Sequence, residues 1–429
     1  MLLEFQNLAA LFFIVVLSVV LYLKREKLTV HGSFPYFYFS MYKTQLGISF
    51  MQSLAKKWNK TLKVLGYIGI AAGFLGMVAI CAALIHNLFV LFTRPEAVPG
   101  VGLVLPFKAK GVFYVPFFYW IISIFVIAVV HEVAHGVISK AHKIKVKTSG
   151  FAFLGTSYMI GGIAIILFAL YAKMKSTSLD LASGFTQFNP LQYSFDAWIL
   201  IGLVFVVISF IRNFPLPIIP AAFVEPDEKV LKKRPMKEQL SVFAAGPFSN
   251  VLLGLIFLGL SFALVPFAQN VFLPDGIGIA GFLEDKEYAV KTSGIEIGDM
   301  IRKADNMPIL SAKNLSDAIY KRKPGENIIL ETNKDIYTVE LSQNPANESL
   351  AYLGIQIDQK RRLNPDVEQK FGSWLPNIFI WLLGLIYWLF ILNIGIGLFN
   401  LVPMGPLDGG RMIQLVFLNY FGEQKGNKI

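Results

Sequence analysis

The chain has 429 residues, of which 55% are hydrophobic and 16% charged, with 38 phenylalanines and a mean hydropathy of +0.57. Such a composition excludes a soluble globular or disordered protein and indicates a polytopic α-helical membrane protein. The net charge of +11 gives no nucleic-acid signal, because the Lys and Arg residues cluster beside apolar runs, where orientation in a bilayer accounts for them.

About seven or eight apolar runs approach the roughly 20 residues needed to cross a bilayer core of about 30 Å. The first predicted span, Phe5 to Leu23, is followed by Lys24, Arg25 and Lys27, which places that end in the cytoplasm. It has no small-residue cleavage site, so it reads as an anchor rather than a signal peptide. Leu65 to Phe92 then runs outward, and Phe113 to Ser139 runs back inward to Lys140, Lys143, Lys145 and Lys147. Further spans are expected at Ser157 to Tyr171, which is short, Phe195 to Ile211, Leu240 to Phe267, and from Trp374, with an interruption, to about Tyr420. The stretch NFPLPIIPAAF, 213–223, is apolar but too rich in proline for a helix, and is expected to enter the membrane against protein rather than lipid. Residues 275–360 are polar, mixed in charge and alternate like short strands. They predict a soluble domain, on the outer side by the orientation count. Four segments result: 1–112, N-terminal transmembrane helices with a cytoplasmic linker; 113–270, the first part of a membrane core; 271–360, the inserted domain; and 361–429, the last part of the core with a C-terminal tail.

The third span contains HEVAH. On a helix, His131 and His135 share one face at i and i+4 and can reach one metal ion, while Glu132 projects close enough to deprotonate water there. Ionisable side chains inside a span are costly and usually mark a water-filled functional cavity. Cys81 is the only cysteine and lies in an apolar run, so any metal must be held by His, Asp or Glu. A catalytic zinc commonly takes three protein ligands. The best third candidate is Asp408, the sole carboxylate in NIGIGLFNLVPMGPLDGGRMIQLV. As an alternative, Asp408 caps the helix that follows, with Arg411 as its cationic partner. Glu225, Asp227 and Glu228 in FVEPDE read as a turn and helix start rather than a second metal site. His31, His86 and His142 have no ligand partner at useful spacing and read as interfacial or loop residues.

HEVAH in an inward-running span, FAAGPFSNVLLG with Gly246, Pro247 and Asn250, and NLVPMGPLDGG with Asn400, Pro403 and Asp408 together resemble the site-2 protease family of intramembrane zinc metalloproteases. FVEPDE, the extra N-terminal spans and a single inserted PDZ domain make the chain look most like archaeal members. The resemblance implies one catalytic zinc held by His131, His135 and Asp408, with Glu132 as general base. Asn250 matches the family's asparagine between the metal motifs, with a role toward the oxyanion or a substrate strand; alternatively it is polar glue between helices. Asn400 is expected to position the Asp408 segment or the substrate.

Residues 293–332 have the order of a PDZ domain of the protease-associated kind: a Gly-Asp turn before a strand, a second strand, a helix from about Ala312 to Lys321, KPGE and another strand. Leu353, Gly354 and Ile355 resemble the loop whose backbone N–H groups capture a peptide carboxylate, so that a peptide C-terminus would add as an edge strand. A domain that only filters substrates by size is the alternative.

The expected function is hydrolysis of peptide bonds in or near transmembrane segments of a membrane-protein substrate, by a multi-pass enzyme of the cell membrane with its PDZ domain extracytoplasmic. Glu132 takes a proton from water and later protonates the leaving amine. A helical substrate hides its amide carbonyls, so it must unwind locally, which favours small or helix-breaking residues near the cut. Two rivals are a PDZ-bearing membrane scaffold and a metal or proton transporter with an intramembrane His/Glu/Asp site. An intact Glu132 argues against the first, and no repeat of the transporter kind is visible.

Overall fold

The computed structural model describes residues 2–33, 37–94, 100–106, 112–183, 190–211, 215–283, 288–345 and 347–422. The tail beyond 422 lies outside them. The chain divides into two compact units, Met1–Leu260 with Gly384–Ile429, and Ser261–Leu383. In chain order, α1 (Leu2–Leu23) leads to β1 (Leu28–Ser33), β2 (Phe37–Thr44), α2 (Ile48–Lys57) and α3 (Asn59–Thr93). A short parallel pair, β3 (Leu103–Leu105) and β4 (Val112–Tyr114), precedes α4 (Phe117–Ala141) and β5 (Val146–Ser157). Then come α5 (Tyr158–Ser183), α6 (Pro190–Ile211), β6 (Pro215–Pro226), α7 (Glu228–Leu231) and α8 (Met236–Val271). The polar region supplies β7 (Phe272–Phe282), α9 (Ala289–Thr292), β8 (Met300–Ala304), β9 (Met307–Pro308) and α10 (Ala312–Tyr320). It continues with β10 (Asn327–Thr332), β11 (Ile336–Glu340), β12 (Ser342–Asn344), β13 (Asn347–Tyr352), β14 (Ile355–Leu363) and α11 (Pro365–Phe371). Last are α12 (Trp374–Phe399) and α13 (Asp408–Phe421).

Among the described residues four helices, α3, α4, α8 and α12, are long and apolar enough to cross a membrane. The apolar stretches Phe12–Leu23, Tyr158–Tyr171 and Asp196–Phe210 are shorter. The sequence counts more full-length spans than this, because apolar composition marks contact with lipid without fixing how much of a bilayer is crossed. The interruption expected in the last apolar region is the break between α12 and α13.

Small residues set how α3 packs. Gly66, Gly69, Gly73 and Gly76 recur every three or four positions and so form one stripe. They face Ser241 and Ile138, Phe248, Met412 and Ala244, and Leu401 and Leu398 respectively. Side chains on this stripe would push α3 away from α8 and α13. Met77, Ile80, Leu240, Ala244, Leu401 and Met412 fill the buried cluster alongside it.

The four-stranded sheet runs in the order β1-β2-β5-β6, antiparallel throughout. Its last strand carries Pro215, Pro217, Pro220 and Pro226. Proline cannot donate to a ladder, so within sheets it belongs on an edge, which is where β6 lies. From residue 215 onward, the stretch expected not to be helical is this edge strand: prolines exclude a helix there without excluding a strand.

The second unit carries a sheet ordered β11-β10-β8-β7-β14, with β9 on β8. Ile277, Ile279, Ile301, Ile328, Leu330 and Val339 from its strands pack on Leu315 and Ile319 from α10. Buried residues alternate along β10 with period two, as one covered face requires. A capping box formed by Ser311 and Asn314 starts α10. The expected Gly-Asp turn is Gly298–Asp299, just before β8. There the buried Asp299 accepts the Glu296 N–H at 2.9 Å and meets Lys334 Nζ at 2.8 Å. Burial pushes its carboxyl up, but Lys334 and the Glu296 N–H outweigh that and hold it below the usual carboxylate range. These features make the unit the PDZ-like α/β domain expected from its sequence.

Candidate metal centre

Helix α4 carries His131, Glu132 and His135 on consecutive turns, and the Nε2 atoms of the two rings are 3.1 Å apart. Both Nδ1 atoms face α8. His135 Nδ1 donates to the Val242 carbonyl at 2.6 Å, and His131 Nδ1 lies 3.1 Å from the Asn250 amide. Val242, Gly246 and Asn250 are four residues apart and share one face of α8. A Cβ at Gly246 would overlap Nε2 of both histidines, so glycine is what lets α8 approach the pair this closely.

Asp408 arrives from the other side. After α12 ends at Phe399, a turn with a cis Gly405–Pro406 peptide leads into α13. Gly409 N–H donates to the Asn400 carbonyl at 2.8 Å, and a Cβ at Gly409 would overlap the Leu401 backbone. Leu407 occupies the N-cap position with no side-chain cap bond. The Asp408 carboxylate is thus directed to the histidines: Oδ2 is 3.0 Å from His131 Nε2 and 3.4 Å from His135 Nε2. Arg411 instead places its guanidinium over the Phe243 ring.

These three side chains could hold a metal ion. A tetrahedral zinc with bonds of about 2.0–2.1 Å sets its ligand atoms about 3.3–3.4 Å apart. The separations here, 3.0, 3.1 and 3.4 Å, fit one face of such a tetrahedron. The chemistry fits as well, because a largely buried carboxylate between two imidazoles calls for a compensating cation. Glu132 lies one position after His131, and one of its carboxylate oxygens accepts the Val224 N–H of β6 at 2.8 Å.

Other expected residues fall as follows. Asn250 is fully buried against His131. Asn400 supports the Asp408 segment through its backbone carbonyl. Leu353 is buried in the core of the PDZ-like domain. Gly354 has φ +75° and sits where a Cβ would overlap the Tyr288 ring, and Ile355 opens β14. The acids of FVEPDE do not gather on a metal. Glu225 accepts from Thr148 Oγ1 at 2.7 Å, and Asp227 caps α7 through Lys229 N and Val230 N. Burial pushes the Asp227 carboxyl up, but these N–H groups and Lys147 hold it below its ordinary range.

Sequence reasoning misses the backbone partners Val242 and Val224, which carry no side-chain signature. It also misses His142, which is buried at the end of α4. His142 Nε2 meets Ser241 Oγ at 2.9 Å, and its Nδ1 is 3.7 Å from Glu238. The only signal available is the proximity of that histidine to HEVAH.

A His-His-Asp centre with an adjoining glutamate, its histidines on a helix long and apolar enough to cross a membrane, defines a metallohydrolase arrangement. The chain belongs to Peptidase family M50, the site-2 protease family, whose model matches residues 119–429. It is 25% identical over 246 residues to the zinc metalloprotease RasP of Shouchella clausii (strain KSM-K16), a match covering 47% of this chain and 55% of the other. The chain thus spans about half the length of that relative. Among solved structures, the PDZ domain of an SdrC-like protein from Listeria monocytogenes matches with a TM-score of 0.17 and 17% identity, over 19% of this chain and 87% of that domain.

Proposed function

We propose that this chain is an intramembrane zinc endopeptidase that hydrolyses peptide bonds in or near the transmembrane segments of other membrane proteins. The observation that carries the reading is the convergence of His131, His135 and Asp408 beside Glu132 on α4, a helix long and apolar enough to span a bilayer. The family membership and the zinc metalloprotease relative support it. His131 Nε2, His135 Nε2 and the Asp408 carboxylate would hold the zinc. When bound, zinc supplies a Lewis acid that polarises a carbonyl and acidifies water.

The remaining steps belong to the chain. Glu132, steadied by the Val224 N–H, takes a proton from the attacking water and returns it to the leaving amine. The same bond orients the substrate's approach. Val224 pairs with Ser149 of β5, yet its N–H points outward to Glu132, so the open edge of β6 runs beside the catalytic carboxylate. Ala222 lies two residues back, on the same outward side. An unwound stretch of substrate can pair with this edge and present an extended carbonyl, which a helix cannot do.

The enzyme is a multi-pass protein of the cell membrane, with its PDZ-like domain on the extracytoplasmic side, as the distribution of Lys and Arg around the spans supports. In that domain β14 is an edge strand preceded by Leu353 and Gly354, and it offers a peptide C-terminus a strand to join. The test is cleavage of a model single-span substrate by the purified chain. Wild type is expected to cut it, and Glu132→Gln to be slower by about 10²- to 10⁴-fold. Undiminished cleavage by Glu132→Gln would sink the proposal.

A further inference from the structure

Two rings and one helix frame the inference. His131 and His135 both turn Nε2 toward Asp408 and Nδ1 toward α8. At His135 the partner is a backbone carbonyl, which can only accept, so Nδ1 carries the hydrogen and Nε2 keeps its lone pair for a metal. At His131 the partner is Asn250, two turns further along the same face of α8. Asn250 is fully buried, with its amide nitrogen 3.1 Å from Nδ1 and its amide oxygen without a hydrogen-bond partner.

An amide nitrogen donating to Nδ1 would leave the ring hydrogen on Nε2, where it blocks coordination. The amide oxygen in that place would accept from Nδ1–H and free Nε2, and would itself gain the partner it lacks. The two ends of a carboxamide have nearly the same shape, so half a turn about its bond exchanges them without repacking. The turn leaves the amide nitrogen where the oxygen stood, so what favours it is the free Nε2 lone pair that it gives His131 for a metal.

We propose that Asn250 is a positioning residue for the metal. With zinc present its side-chain oxygen accepts the Nδ1 hydrogen of His131, as the Val242 carbonyl does for His135, so that α8 orients both ligating rings. This assigns the amide to a zinc ligand and not to the oxyanion of the substrate. The inference rests on the metal reading given above.

The experiment measures zinc affinity by chelator competition on the full chain in detergent, for wild type, Asn250→Leu and Asn250→Asp, with kcat and KM at saturating zinc. Leucine keeps the shape of asparagine without an acceptor, and aspartate keeps the acceptor without the amide donor. Asn250→Leu is expected to bind zinc about 10- to 100-fold more weakly. Asn250→Asp is expected to bind zinc within about threefold of wild type. Rescue by the acceptor is the readout that a merely space-filling role would not produce. If Asn250→Leu holds zinc as tightly as wild type, or Asn250→Asp loses zinc as Asn250→Leu does, the amide does not orient His131 as an acceptor and the inference is overturned alone. A wild type without stoichiometric zinc would overturn the metal assignment and this inference with it.

Discussion

The metal centre depends on single atoms as much as on its ligands, and Gly246 is the sharpest case. Its missing Cβ is what lets α8 lie against both histidine rings, so Gly246→Ala is expected to weaken zinc binding by about tenfold or more. Gly259 on the same helix has nothing within 4 Å of the position its Cβ would take, and Gly259→Ala is expected to leave zinc affinity unchanged. Equal zinc affinities in the two variants would contradict the packing argument. A second test concerns His142. Burial pushes its pKa down from the ordinary 6.5, Glu238 pulls it up, and Lys63 and Arg234 push it down again, leaving it lowered. Below about pH 6.5 the unfolded chain takes up a proton that the folded chain refuses, so stability present above that pH is lost as the pH falls through the folded value. Thermal unfolding between about pH 8 and pH 5 should show a steeper loss in wild type than in His142→Gln, and parallel curves would contradict it. His131, Glu132 and His135 were legible in the sequence because one helical turn suffices to bring them together. Asp408 was legible because it stands alone among apolar residues. The Val242 carbonyl and the Val224 N–H were not, since any residue type supplies such groups, and Ser241 lies too far along the chain from His142 to suggest the pair.

At the scale of elements, β6 has two roles: it forms an edge of the sheet and its Val224 N–H holds the Glu132 carboxylate proposed as the base. Val224→Pro separates them. The ladder to β5 does not use this outward N–H, and an edge strand tolerates proline, so the fold and the zinc should survive. Glu132 would lose a hydrogen bond to its charged group, and kcat is expected to fall roughly tenfold or more. Steady-state kinetics with parallel zinc assays would check this; an unchanged kcat would show that Glu132 is held by other means. The sheet also marks where sequence reading stopped. β5 interrupts its apolar residues with Lys147, Thr148 and Ser149 and shows no strict alternation in burial, and the prolines of β6 argue against regular structure unless its place at an edge is known. Strands owe their identity to partners distant in sequence: Thr44 pairs with Ser149, which pairs with Val224. The helices α4 and α10, by contrast, are set locally, α4 by its apolar run and α10 by its amphipathic pattern and capping box, and both were readable.

For the molecule as a whole, composition alone announces a membrane protein, and the change of texture near residue 275 announces the inserted domain. The number of complete spans was less legible, because an apolar run reports contact with lipid and not the depth it reaches. The two units divide the labour proposed here: the metal, its base and an open strand edge all lie in the unit that holds α3, α4, α13 and the sheet, while the PDZ-like unit offers a separate edge strand for peptides. The central claim is that three side chains hold one zinc for the neighbouring glutamate to use. Zinc per polypeptide, measured on the same preparations as single-span cleavage, tests it most directly in wild type, Glu132→Gln and Asp408→Asn. The account predicts about one zinc per chain in wild type and in Glu132→Gln, weakened zinc in Asp408→Asn, and cleavage in wild type alone. Cleavage by a wild type that contains no zinc, or full zinc and full activity in Asp408→Asn, would contradict it.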